Sequence, residues 1–114
     1  MTKTERSVLL RRYKNLVIDA KYFLDNPDED TFMLMDSMTI CEAMSGAMAI
    51  TKYDGRDSCV MCPALSDDGV CRFIVRRYRN TIEPSIGDIY LKIRKVLIIY
   101  EEGLGITPEE ILTY

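Results

Sequence analysis

The 114-residue chain contains no histidine. Imidazole acid–base catalysis and a Ser–His or Cys–His nucleophile pair are therefore excluded. It also lacks a Walker loop, a GxGxxG turn and a GxSxG elbow, so neither a phosphate cradle nor a hydrolase nucleophile is written in it. No apolar run approaches the roughly 20 residues that a membrane helix needs. Residues 1–15, MTKTERSVLLRRYKN, hold no apolar stretch of signal-peptide length before charges return. Internal repeats, low-complexity tracts, linkers and alternating strand patterns are missing too. These absences lead us to expect a single helical domain over residues 1–114, cytoplasmic in type, with no enzymatic activity and no membrane partner.

What is present suffices for one core. Hydrophobic residues make up 47% and charged residues 29%, a balance unlike that of a disordered chain. Residues 2–25 read as a first helix. Thr2 followed by Glu5 is a capping box, and Leu9, Tyr13, Leu16, Val17, Ala20, Phe23 and Leu24 recur on one face. Arg11, Lys14 and Lys21 fall on another face. Pro27 stops this helix, because proline fits only the first turn of the next one.

Residues 28–52 read as a second helix, with a break near Asp36-Ser37. Leu34, Met38, Cys41 and Met48 form one stripe, and Met33, Ile40, Met44 and Ala47 an adjacent one. Apolar or small residues on almost every side predict the most buried helix. Gly46, between Ser45 and Ala47, predicts a close approach. Residues 70–80 read as a third helix with Cys71, Ile74, Val75 and Tyr78 facing in. Residues 85–102 read as a fourth, carrying Ile86, Ile89, Ile93, Val96, Leu97 and Tyr100 at helical spacing. Gly103 is its expected C-terminal cap. Thr107-Pro108-Glu109-Glu110 opens a short last turn. The expected fold is all-α: a small bundle of four helices plus a short C-terminal helix, with an irregular cysteine-containing loop over 56–69.

Cys41, Cys59, Cys62 and Cys71 are spaced C-x17-C-x2-C-x8-C. Two residues between Cys59 and Cys62 let both sulfurs meet one ion from a tight turn. Cys71, at the start of the third helix, and Cys41, within the second, complete a tetrahedral set. Zinc is the expected metal, since four thiolates in a small cytoplasmic-type domain most often close a structural site. An iron–sulfur cluster is the alternative, because Cys62-Pro63 is the kind of step seen in cluster-binding loops. Three other readings stay open: Cys41 and Cys71 as small core residues, disulfides, and Cys59 with Cys62 as a redox pair.

Net charge is -3, but it is segregated. Residues 25–70 carry ten acids against two bases, while residues 71–99 carry seven bases against two acids. An apolar knuckle tip, Met61 and Leu65, ringed by Asp57, Asp67 and Asp68, is a candidate protein-binding surface. Arg72, Arg76, Arg77 and Arg79 are candidate phosphate contacts, with Tyr78 and Tyr90 as stacking groups. A pI near 5.0 speaks against a dedicated nucleic-acid binder. Met33, Met35, Met38, Met44, Met48 and Met61 divide between core filling and an adaptable contact surface. Tyr13, Tyr22, Tyr53 and Tyr114 are expected to be partly exposed.

The expected function is a metal-stabilised, non-catalytic regulator or inhibitor that binds another protein. Its size and style fit an accessory protein of phages or mobile elements. A nucleic-acid-binding regulator is the alternative, and an iron–sulfur redox sensor the second alternative.

Overall fold

The computed structural model describes residues 1–51 and 85–114. Among them every regular element is a helix. α1, Lys3–Asp25, starts where Thr2 Oγ1 accepts the Glu5 N–H at 3.1 Å. Its inward face is Leu9, Leu10, Tyr13, Leu16, Ala20 and Phe23, with Val17 and Leu24 half-buried beside it. This is the expected stripe with Leu10 added.

The segment over 28–52 is two helices, divided at the break expected near Asp36-Ser37. α2, Glu29–Met33, is a single capped turn: the Thr31 N–H donates to Asp28 Oδ1 at 2.8 Å, and the Asp28 N–H to Thr31 Oγ1 at 3.2 Å. α3, Ser37–Thr51, restarts after a break at residues 34–36. Asp36 Oδ1 accepts the Met38 N–H at 2.9 Å, which satisfies a donor in the new first turn. The Asp36 N–H donates to Asp19 Oδ2 of α1, also at 2.9 Å, so the break is tied to a neighbouring helix.

That break corrects the expectation of a helix buried all round. Ile40, Ala43, Met44, Ala47 and Met48 are buried, but Leu34 is 74% exposed, Met38 is 62% exposed and Cys41 is exposed. One stripe faces the core apart from Met33, and the other faces out apart from Met48. The methionines divide accordingly, with Met35, Met44 and Met48 inside and Met33 and Met38 outside.

α4, Ile86–Leu104, is capped by Ser85, whose Oγ accepts the Asp88 N–H at 3.3 Å. It buries Ile89, Ile93, Val96, Leu97, Tyr100 and Leu104. The helix runs two residues past its expected end. Gly105, in the left-handed region at φ 66°, is the C-cap instead of Gly103. Gly103 lies against the Ile50 side chain, where a Cβ would collide. α5, Pro108–Ile111, begins at Thr107 as expected, with Oγ1 accepting the Glu110 N–H at 3.2 Å.

α1, α3 and α4 pack against one another, and α2 and α5 both lie on α1. Arg6 reaches the Leu104 carbonyl at 2.9 Å, and Phe23 meets Tyr90 with ring centroids 6.4 Å apart. These contacts make α1 and α4 antiparallel. Asp19 meets Asp36, and Leu9 borders Gly46, so α3 also runs against α1 and parallel to α4. At the centre, Tyr13 and Tyr100 stack with centroids 5.5 Å apart and planes within 5°. Tyr13 is 0% exposed, which corrects its expected partial exposure. The Tyr100 hydroxyl donates to the Ala43 carbonyl of α3 at 2.6 Å. A Cβ on Gly46 would run into that same hydroxyl, so the close approach expected there is made by a phenol.

The loop expected over 56–69 and the helix expected over 70–80 lie outside the described residues.

Candidate functional site

A groove of about 570 Å³ opens where α1, α4 and α5 meet. The antiparallel pair supplies its length. Val17, Leu24, Leu97 and Tyr90 form an apolar floor, in which Leu97 is buried and the other three are half-buried. Ile18, 53% exposed, and Leu112, 50% exposed, form rims, and Pro108 closes part of one side. Among the described residues, the four-residue α5 covers part of this floor. Its volume lies within the roughly 300–1,000 Å³ range of ligand pockets.

Four charges line it. Lys21 on α1 and Arg94 on α4 stand on the two long walls, while Asp25 and Glu109 complete the set. Both cations are exposed, and among the described residues neither is in an ion pair. Glu109 has a local task, in the first turn of α5 where an acid complements the helix dipole. A smaller depression of about 200 Å³ lies nearby, between Ser7, Leu10, Arg11, Lys14, Ile111 and Tyr114. Lys14 Nζ donates there to the Tyr114 carbonyl oxygen at 2.6 Å, holding the last residue against α1.

Among the described residues, the shifted titrations lie in the packing around α1. Burial pushes the Tyr13 phenol up to about 12, with Glu101, Glu109 and Glu110 acting in the same direction. Burial also raises Tyr100, opposed by the Arg12 guanidinium. Asp19 is raised above its ordinary value by burial, against the opposing effect of the Asp36 N–H.

Of the expected metal ligands, Cys41 is exposed on α3. Cys59, Cys62 and Cys71 lie outside the described residues. So do the candidate partner contacts Met61, Leu65, Asp57, Asp67 and Asp68, and the candidate phosphate contacts Arg72, Arg76, Arg77 and Arg79. Among the described residues no three His, Cys, Asp or Glu side chains converge on a metal-sized site. None of the described helices is long and apolar enough to cross a membrane. Tyr90, expected as a base-stacking group, lines the groove and packs against Phe23.

The groove residues were not anticipated as a site. The available signal was apolar residues that overrun the inner stripe: Ile18 beside Val17, and Leu112 beside Ile111. No protein-family model matches the chain, and neither the curated proteins nor the solved structures contain a match.

Proposed function

We propose that this chain is a non-catalytic helical regulator or inhibitor that works by binding another protein, with the groove between α1, α4 and α5 as the seat of that partner. The groove carries the reading. It joins a half-open apolar floor to exposed rims and to charges at its edge, the combination of apolar centre and polar border that protein interfaces use. The lack of histidine accords with binding rather than acid–base chemistry. In the same reading, Cys41, Cys59, Cys62 and Cys71 hold a zinc ion that stabilises the fold and takes no part in a reaction.

A photo-crosslinking side chain placed at Ile18 or at Leu112 tests this in cells of the source organism. A discrete protein adduct is expected from both groove positions and not from Gly87, which is exposed on the first turn of α4. An Ile18→Ser change should abolish the adduct formed from position 112. Adducts that form equally at position 87, or that survive Ile18→Ser, overturn the groove reading.

A further inference from the structure

We draw no further inference here: the strongest candidate, the exposed apolar patch that Leu34 and Met38 form at the start of α3, carries nothing because nothing in the structure shows what covers it.

Discussion

Tyr13 stacks on Tyr100 with the ring planes within 5°, yet only one of the two hydroxyls is used. Tyr100 donates to the Ala43 carbonyl at 2.6 Å, whereas the buried Tyr13 hydroxyl has no hydrogen-bond partner among the described residues. The same substitution should therefore act with opposite sign at the two positions. Tyr100→Phe keeps the stack and loses a buried hydrogen bond, costing about 1–2 kcal/mol. Tyr13→Phe removes an unsatisfied buried polar group and should leave stability equal or raise it by up to about 1 kcal/mol. Urea melts of the two variants check this; a loss for Tyr13→Phe as large as for Tyr100→Phe would show that the hydroxyl is paired.

The same pair sets an alkaline limit. The Tyr13 phenol is raised to about 12, above the value near 10 of an unfolded tyrosine. Between those values the unfolded chain loses the proton first, so stability falls as pH rises. The contribution is intact below about pH 10 and is lost through about pH 12. Phenolate absorbance followed with pH should show these tyrosines ionising last, together with unfolding. Tyr13→Phe should move that unfolding to higher pH.

Two glycines in helices should respond oppositely to alanine. Gly46 is buried under the Tyr100 hydroxyl and 3.0 Å from Leu9 Cδ2, measured from where a Cβ would stand. The helix-propensity gain of roughly 1 kcal/mol is outweighed by overpacking of about 1–3 kcal/mol. Gly87 is exposed, and its nearest neighbour, Ser85 Oγ, lies 3.9 Å from that position. Gly87→Ala should raise the melting temperature and Gly46→Ala should lower it, both read by thermal denaturation.

Asp19 joins α1 to the start of α3 by accepting the Asp36 N–H, while burial raises its pKa. A raised carboxyl pKa means stability present at low pH is lost as pH rises through the folded value. Asp19→Asn keeps an acceptor oxygen and removes the charge. We expect a higher melting temperature than wild type at neutral pH, and a difference that closes as pH falls through the carboxylate range. A variant less stable at every pH would mean that the charge itself holds the Asp36 N–H.

The metal proposal has its own outcome. Zinc held by Cys41, Cys59, Cys62 and Cys71 predicts metal in anaerobically purified protein by elemental analysis. Chelation should lower the melting temperature, and Cys59→Ser should reproduce the effect. The packing of α1, α3 and α4 should prevent complete unfolding. A brown protein would replace zinc with an iron–sulfur cluster. Melting curves unchanged by both treatments would remove the metal site.

The starts of α1, α4 and α5 were legible because capping is local. Thr2, Ser85 and Thr107 each hold an N–H three residues on, and a side chain that reaches three residues needs no tertiary partner. The inner faces of α1 and α4 were legible for a similar reason, since polar residues mark where the apolar stripe stops. α3 was ambiguous because it lacks that contrast. With apolar or small residues on most sides, periodicity cannot say which stripe turns inward, and Met38 and Cys41 proved to face out.

The sequence by itself determined the helical class, the starts of α1, α4 and α5 and the one-sided burial of α1 and α4, all matters of neighbours within a turn or two. Tertiary structure alone decided that Gly103 packs against Ile50 while Gly105 ends the helix, because that choice depends on how close α3 lies. It alone decided that Tyr100, not another backbone, fills the space above Gly46. It also decided that Val17 and Ile18 meet Tyr90, Arg94 and Leu112 in one groove. Those residues are up to 95 positions apart (112 minus 17), and the antiparallel packing of α1 on α4, with α5 beside them, brings them together.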